Sequence, residues 1–333
     1  LKQMNYAGLN YKKNYNMKNM NSIVVLDAQT VGNNTVFKRF SDFGSLTIYG
    51  TTTKEERIAH IGNASIIITN KVIIDAFIMD SCPQIQLICL TATGMNNVDL
   101  EYASKKGIVV KNVAGYSTES VAQHTFAMFL SLLHSIEYYN SYVKNKEYSH
   151  QQLFTHIGPG YWQLQDKTWG IIGLGTIGKR VAQIAQVFGA HIIYYSTSGK
   201  NYNSQYTQVS LQELLIKSDV VSIHAPLNEQ TLGLIGIDEL QHMKSHAYII
   251  NVGRGGIVNE NDLAEALQKN IIAGACLDVM QQEPIDETSP LLDPKIAHKI
   301  IITPHVAWIS KEALQTLIEC VYNHVKEFVN KEL

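Results

Sequence analysis

The sequence predicts an α/β fold of two domains, each built on a parallel, doubly wound sheet. Three observations support this prediction. Short apolar runs alternate with helix-length spacers, and this pattern restarts after a glycine-containing loop at 158–160. The length of 333 residues also exceeds the roughly 100–200 residues that are usual for one domain.

The first part of the chain contains three apolar runs that we interpret as strands: Ser22–Asp27, Ser65–Thr69 and Ile85–Thr91. A longer segment, 118–144, has apolar residues at steps of three and four, and Glu119 lies in its first turn. This spacing predicts one long amphipathic helix, which would join the two domains.

Beyond the loop, six apolar runs with helix-length spacers predict a second parallel sheet. These runs are Trp169–Ile172, His191–Tyr195, Val220–His224, Ala247–Asn251, Ile272–Asp278 and Ile300–Thr303. The last segment, Lys311–Leu333, carries apolar residues on one side and is predicted to form a helix.

Composition narrows the class of protein. Lys and Arg total 27 against 29 Asp and Glu, so no net field attracts nucleic acid. The most apolar stretch, Phe126–Leu133, is far shorter than the roughly 20 residues of a bilayer span, which predicts no membrane association. The four cysteines form no CxxC pair, so we expect reduced thiols, no metal site and a cytoplasmic location.

Residues 1–20, dominated by Asn, Lys and Tyr, are predicted to be a disordered tail.

A glycine-rich loop follows the strand that ends at Ile172. Its sequence is Gly173-Leu174-Gly175-Thr176-Ile177-Gly178, and a helical sequence comes next. In such a loop the first glycine makes the tight turn, the second lets the backbone approach a pyrophosphate, and the third allows close packing of helix and strand. Free N–H groups at the helix start attract the anion. Strand, GxGxxG and helix in this order predict a dinucleotide site.

The end of the next strand bears on the choice between NAD and NADP. A carboxylate usually lies there and accepts the ribose hydroxyls of NAD, but this chain has Ser196. Ser196, Thr197, Ser198 and Lys200 offer donors that could bind a 2′-phosphate. They could equally form a polar turn beside bound NAD, so both cofactors stay open.

Three ionisable residues follow the last three predicted strands. They are Arg254 in NVGRGG, Glu283 in LDVMQQEP and His305 in TPHVAW. Ligands bind at the carboxyl ends of such strands. Reduction of a 2-keto acid needs a cation for the carboxylate, an acid for the carbonyl oxygen and a group that holds this acid, and the three residues supply one of each.

With these motifs the chain resembles the D-isomer-specific 2-hydroxyacid dehydrogenase family, from about Ser22 to the C-terminal helix. The resemblance implies that Arg254 binds the substrate carboxylate and polarises its keto oxygen, that His305 passes the proton, and that Glu283 orients His305. It also implies a cofactor domain inserted into the substrate domain. The expected boundaries are 21–117 and 305–333 for the substrate domain and 118–304 for the dinucleotide-binding, Rossmann-like domain.

The resemblance extends the expected site. It implies cofactor contacts for Ala225, Pro226, Thr231, Val252, Gly253 and Asp278, with Asp278 accepting a bond from the carboxamide, and substrate contacts for Thr93, Gly94 and Asn97. Arg254, His305 and Thr93 would also touch the cofactor. This arrangement would put the active site in the cleft between the domains.

The segments WQLQDKTWGIIGLGTIG, TATGMNNVD and PHVAWIS look most like the glycerate dehydrogenase or hydroxypyruvate reductase branch of the family. Hydroxypyruvate or glyoxylate is therefore the expected keto acid. A D-lactate or phosphoglycerate dehydrogenase is an alternative. The non-enzymatic alternative is an NAD(H)-sensing, corepressor-like binding protein on the same scaffold. The resemblance also implies a homodimer formed through the cofactor domains.

Overall fold

The computed structural model describes residues 21–32, 34–200 and 202–331. The predicted tail at 1–20 lies outside them. The chain divides into two compact units: the first runs up to Ala114 and resumes at Thr316, and the second spans Gly115–Gln315. The predicted junctions were 117–118 and 304–305, so the second unit continues beyond His305.

The first unit contains a five-stranded parallel sheet in the order β2-β1-β3-β4-β5. Its strands are β1 (Asn21–Val25), β2 (Gly44–Ile48), β3 (Ile66–Thr69), β4 (Leu87–Leu90) and β5 (Val109–Lys111). The three predicted strands correspond to β1, β3 and β4. The sequence missed β2 and β5 because these edge strands are partly exposed and lack a continuous apolar run.

Short helices connect the strands of the first unit: α1 (Arg57–Ile61), α2 (Ala76–Ser81) and α3 (Leu100–Lys105). Asp75 and Asp99 cap α2 and α3, each accepting a backbone N–H of the first turn. Apolar side chains from these helices and from β1, β3 and β4 form one buried cluster.

The second unit contains a seven-stranded parallel sheet in the order β12-β11-β10-β9-β6-β7-β8. Its strands are β6 (Thr168–Ile172), β7 (His191–Tyr195), β8 (Thr207–Gln208), β9 (Val220–Ile223), β10 (Tyr248–Asn251), β11 (Gly274–Leu277) and β12 (Ile300–Ile302). The order reverses between β6 and β9, which makes the switch point where α/β sheets bind ligands. The two parallel sheets confirm the predicted fold class.

The helices of the second unit are α4 (Thr118–Leu133), α5 (Ile136–Lys144), α6 (Thr176–Val187), α7 (Leu211–Lys217), α8 (Ile237–His242) and α9 (Glu260–Gln268). The prediction of one helix over 118–144 was wrong. Ser135 has a φ of 50°, in the left-handed region, so α4 ends before it and α5 begins after it. The C-terminal helix α10 (Lys311–Lys331) begins in the second unit and continues in the first.

Helix α4 packs on the sheet of the second unit through Phe129. The Phe129 ring makes edge contacts with the rings of Trp169 on β6 and Tyr248 on β10, at centroid distances of 5.2 and 5.6 Å. The Trp169 indole N–H donates to Ser222 Oγ at 2.8 Å, so this buried donor is satisfied. The anchored helix brings its polar residues to the loop after β12.

Candidate active site

The glycine-rich loop joins β6 to α6 at the switch point. Gly173 has a φ of 90°, and a Cβ there would lie 2.8 Å from the backbone nitrogen of Ala225. A Cβ on Gly178 would overlap the carbonyl of Gly173. At Gly175 no atom lies within 4 Å of the position a Cβ would take. The loop is therefore closed on its protein side and open beside Gly175, and Thr176 and Ile177 begin α6 there, which fits a dinucleotide pyrophosphate.

Ser196 directly follows β7 and is buried. Its Oγ has no hydrogen-bond partner among the residues that the structure describes. A buried, unpaired hydroxyl is unfavourable unless a ligand completes it, so this atom fits the adenosine end of a dinucleotide. Thr197 is partly exposed and Ser198 and Lys200 are exposed.

The loop after β9 holds its own conformation. The Thr231 hydroxyl is buried, donates to the carbonyl of Pro226 at 2.7 Å and accepts the N–H of Asn228 at 2.9 Å. Ala225 is buried against Gly173 and Gly253. At the head of the loop, burial lowers the pKa of His224 to about 3, so this histidine stays neutral near pH 7.

Arg254 lies in a tightly packed loop after β10. A Cβ on Gly253 would lie 2.8 Å from the carbonyl oxygen of Ala225, and one on Gly255 would overlap the carbonyl of Met280. These two glycines let the loop fit between the loops after β9 and β11. The Arg254 side chain is partly exposed, and its Nη1 donates to the carbonyl of Gly253 at 2.8 Å.

His305 and Glu283 form a hydrogen-bonded pair. His305 Nδ1 lies 2.8 Å from Glu283 Oε2, and the other carboxylate oxygen, Oε1, accepts the N–H of Met280 at 3.1 Å. The side chains are 21% and 33% exposed, so the pair is sheltered but reachable by a ligand. Arg254 makes no hydrogen bond to the pair among the described residues, although the three residues follow the adjacent strands β10, β11 and β12.

Asp278 is a buried carboxylate that holds the loop of His305. Its Oδ1 accepts the Thr303 hydroxyl at 2.6 Å and the N–H of Val306 at 2.9 Å, and its Oδ2 accepts the N–H of Ala307 at 2.9 Å. The carbonyl of Asp278 accepts the N–H of His305 at 2.8 Å. Its predicted contact with a cofactor carboxamide stays a prediction.

The sequence analysis missed Tyr116, which lies near Arg254. Its ring contacts the Trp308 ring edge-on at a centroid distance of 6.3 Å. Burial raises the pKa of Tyr116, and the positive charge of Arg254 acts in the opposite direction, so the phenol is within electrostatic range of the guanidinium. No spacing in the sequence marks this residue, because its contact with Trp308 arises only from the fold.

It also missed a stripe on α4 at steps of four. Ser120 donates to the carbonyl of Ala307 at 2.6 Å, His124 Nε2 lies 3.0 Å from Thr303 Oγ1, and Met128 Sδ lies 3.4 Å from the same oxygen. This spacing could have been read as a polar face within an apolar helix. The stripe supports the His305 loop from the helix side.

In the first unit, Thr93, Gly94 and Asn97 follow β4. The Thr93 hydroxyl donates to the carbonyl of Val113 at 2.9 Å, and the Asn97 amide donates to the carbonyl of Val72 at 3.0 Å. The backbone N–H groups of Thr93 and Gly94 have no partner among the residues described. These free donors suit the carboxylate expected at this turn, and the substrate role stays a prediction.

Two negative findings apply to the described part of the chain. No group of three or more His, Cys, Asp or Glu side chains could hold a metal ion there. No helix in that part combines the length and apolar character needed to cross a bilayer.

Comparison with known proteins gives consistent matches. Residues 126–307 match the model of the D-isomer specific 2-hydroxyacid dehydrogenase, NAD binding domain. A putative 2-hydroxyacid dehydrogenase of Haemophilus influenzae is 35% identical over 311 residues, which cover 93% of this chain and 98% of that protein. A hydroxypyruvate reductase of Blautia hydrogenotrophica is 35% identical over 315 residues, covering 92% and 96%.

Among solved structures, the D-lactate dehydrogenase of Aquifex aeolicus, complexed with NAD and lactic acid, aligns with a TM-score of 0.82 and 29% identity. The alignment covers 93% of this chain and 96% of that chain. Both units and the glycine-rich loop thus fall within matched regions. The chain belongs to the D-isomer specific 2-hydroxyacid dehydrogenase family.

Proposed function

We propose that the chain interconverts a small 2-keto acid and its D-2-hydroxy acid with a nicotinamide cofactor, and that hydroxypyruvate or glyoxylate is the favoured keto acid. The hydrogen-bonded pair of His305 and Glu283 carries this proposal, because it is a proton donor with a fixed orientation in the unit that bears the dinucleotide loop. The relative named hydroxypyruvate reductase supports the choice of substrate.

His305 moves the proton. Glu283 engages Nδ1, so Nε2 is left to face the substrate. In reduction, Nε2–H gives its proton to the carbonyl oxygen, and in oxidation neutral Nε2 accepts the hydroxyl proton. The Glu283 carboxylate stabilises the imidazolium form and fixes the ring, as the acid paired with a catalytic histidine does.

Arg254 binds the acid. Its guanidinium is partly exposed and can donate two parallel bonds to a carboxylate, which orients the keto group. The same positive charge stabilises the negative charge that develops on the carbonyl oxygen.

The glycine-rich loop, Ser196 and the loops at 225–231 and 252–254 would hold the cofactor, which when bound supplies or accepts the hydride at the substrate carbon.

For the choice of cofactor, we propose Ser196 as the determinant. Ser196→Asp should raise the ratio of kcat/KM with NADH to kcat/KM with NADPH at least about tenfold, because a carboxylate repels the extra phosphate. Ser204→Asp adds the same charge at an exposed position of the same loop and should leave the ratio unchanged. An unchanged ratio for Ser196→Asp would show that other residues determine the choice between NAD and NADP.

The test of the proposed function is an assay of purified protein with NADH and NADPH. Oxidation of the reduced cofactor would be followed with hydroxypyruvate, glyoxylate, pyruvate and 3-phosphohydroxypyruvate. We expect the highest kcat/KM with hydroxypyruvate or glyoxylate. Preference for pyruvate or the phosphorylated acid would favour a D-lactate or phosphoglycerate dehydrogenase, and binding of the cofactor without turnover of any acid would favour the corepressor-like alternative.

We also propose that the chain forms a homodimer through the second unit. An apolar surface is exposed after α5, where Leu153 is 70% exposed and Phe154 and Ile157 are each 90% exposed. Exposed apolar patches of this kind mark interaction surfaces. A second copy of the chain is the occupant that the family resemblance implies.

A further inference from the structure

We infer that Asn251 is a positioning residue that sets the conformation of the Arg254 loop. Asn251 is the last residue of β10 and is only 2% exposed. Its amide Nδ2 donates to the carbonyl of Arg254 at 2.8 Å, and its Oδ1 accepts the N–H of Gly253 at 3.0 Å. The inference rests on the proposed substrate-binding role of Arg254.

The two ends of the Asn251 amide bind the N–H of Gly253 and the carbonyl of Arg254, which lie on either side of the Arg254 Cα. The neighbouring glycines leave no room for a Cβ, because Gly253 lies against the carbonyl of Ala225 and Gly255 lies against the carbonyl of Met280. The loop therefore has one tightly packed path, and the amide fixes its hydrogen bonds along that path. Removal of the amide would leave a partly buried carbonyl and a partly buried N–H without these partners.

Asn251 also links the loops of Arg254 and His305. Its own carbonyl accepts the N–H of Asp278 at 3.0 Å, and Asp278 holds Val306 and Ala307 on either oxygen. The backbones of Arg254 and His305 are thus hydrogen-bonded to residues at the ends of two adjacent strands, Asn251 at the end of β10 and Asp278 directly after β11. Because reacting groups must be placed to within about 1 Å, a side chain that fixes one of these loops affects turnover without touching substrate.

A purely structural asparagine at a strand end would stabilise the unit and nothing more. The two roles are separated by a double-mutant cycle, in which kcat and KM are measured for Asn251→Ala, Arg254→Ala and the double variant. If Asn251 acts through Arg254, Asn251→Ala should lower kcat/KM for the keto acid by about 10- to 100-fold in the natural background, and by less than about threefold once the guanidinium is gone. The KM for the keto acid should change more than the Kd of the reduced cofactor.

Asn259→Ala is the matched control, because Asn259 is an exposed asparagine that caps α9 through the N–H groups of Asn261 and Asp262. It should lower the melting temperature and leave kcat/KM unchanged. If Asn251→Ala does not fold, Asn251→Asp serves instead: it keeps the shape and the acceptor for Gly253, and it replaces the donor to Arg254 with a negatively charged oxygen that repels the Arg254 carbonyl. The same cycle is then expected.

Each outcome of the double-mutant cycle supports or rejects either the role of Asn251 or the role of Arg254. Equal losses in both backgrounds, or a loss below threefold in the natural one, would overturn the positioning role of Asn251. If Arg254→Ala itself left kcat/KM unchanged, the proposed function of Arg254 would fail instead. A large effect of Arg254→Ala with a small effect of Asn251→Ala would reject only the inference drawn for Asn251.

Discussion

At the scale of single residues, the backbone of His305 is held in a conformation that few side chains adopt. Its φ is 56°, in the left-handed region, which is unfavourable by about 1–2 kcal/mol for an L-residue. Such a conformation persists only when the surroundings fix it. Here Asp278 accepts the N–H of His305, and the Trp308 indole donates to the carbonyl of His305 at 2.9 Å. The strain therefore coincides with the residue that we propose to move the proton.

Glu283→Gln tests the partner of His305. The amide keeps the size of the side chain but removes the charge that stabilises the imidazolium, so we expect kcat to fall by about 10- to 100-fold with a smaller change in cofactor Kd. Steady-state kinetics and cofactor titration measure both. The control Glu287→Gln neutralises an exposed acid in the same segment and should change neither. A loss of kcat below threefold would exclude Glu283 from this role.

Trp308→Phe tests the support of the His305 backbone. Phenylalanine keeps a ring beside Tyr116 and removes the N–H that binds the carbonyl of His305 together with one ring of the indole, a loss of volume that the control below shares. One hydrogen bond contributes about 0.5–1.5 kcal/mol, so we expect kcat to fall by roughly three- to tenfold. Trp162→Phe is the control, since Trp162 makes ring contacts in the same unit but its indole N–H donates to no described residue. Equal effects of both substitutions would reject a specific role for the Trp308 N–H.

The sequence analysis proposed Arg254, Glu283 and His305 because the three occur together after strands that follow the glycine-rich loop, and because the chain resembles a known family. The structure brings His305 and Glu283 into hydrogen-bonding contact, and the catalytic roles of all three stay predictions. Asn251 bonds to the Arg254 loop and Tyr116 contacts Trp308, and such contacts depend on how loops fold back on neighbouring strands. For Asp278 the sequence suggested a cofactor contact, whereas the structure adds bonds to Thr303, Val306 and Ala307.

At the scale of elements, the strands that the sequence analysis missed share one property. β2, β5 and β8 all lie at sheet edges, and each has exposed residues. A central parallel strand is buried on both faces and is read from a continuous apolar run, which an edge strand lacks. The break between α4 and α5 was missed for a different reason, because apolar spacing continues across Ser135 while its backbone turns.

Asp219 connects three strands of the second unit at the end of the sheet opposite the active site. It precedes β9, accepts the N–H of Thr168 at 2.8 Å, and binds Lys244 Nζ and His246 Nε2, both at 2.8 Å. Burial opposes its ionisation, but these hydrogen bonds outweigh burial and hold the pKa of Asp219 below its ordinary value. Ionised Asp219 therefore stabilises the folded unit.

Asp219→Asn should lower the free energy of unfolding by about 1–3 kcal/mol at pH 7. Because the folded pKa is depressed, this stabilisation is present above the unfolded pKa of about 3.9 and is lost as the pH falls through the lower folded value. The difference between the variant and the natural protein, measured by urea unfolding, should therefore shrink between about pH 5 and the acid limit. Asp238→Asn changes an exposed acid and should show little effect at any pH. A difference that grew towards low pH would contradict the assignment.

At the scale of the whole molecule, the sequence indicated two parallel sheets from its repeated apolar runs, and the family resemblance indicated that one unit interrupts the other. The structure divides the chain at 114–115 and 315–316. The second division comes after the His305 loop because Asp278 and Ser120 bind that loop within the second unit. The sequence shows which residues follow β12. The residues that bind this loop within the second unit lie after β11 and on α4, and the sequence does not show these contacts.

The proposed homodimer gives a prediction for the assembly. Ile157→Glu puts a charge on an apolar side chain that is 90% exposed, within the surface after α5. If a second copy covers this surface, burial of the new carboxylate is unfavourable by several kcal/mol, and light scattering should show a monomer where the natural chain is a dimer. Val187→Glu is the matched control, because Val187 is 88% exposed but lies at the end of α6. A natural chain that is monomeric, or an Ile157→Glu variant that stays dimeric, would exclude this surface as the interface.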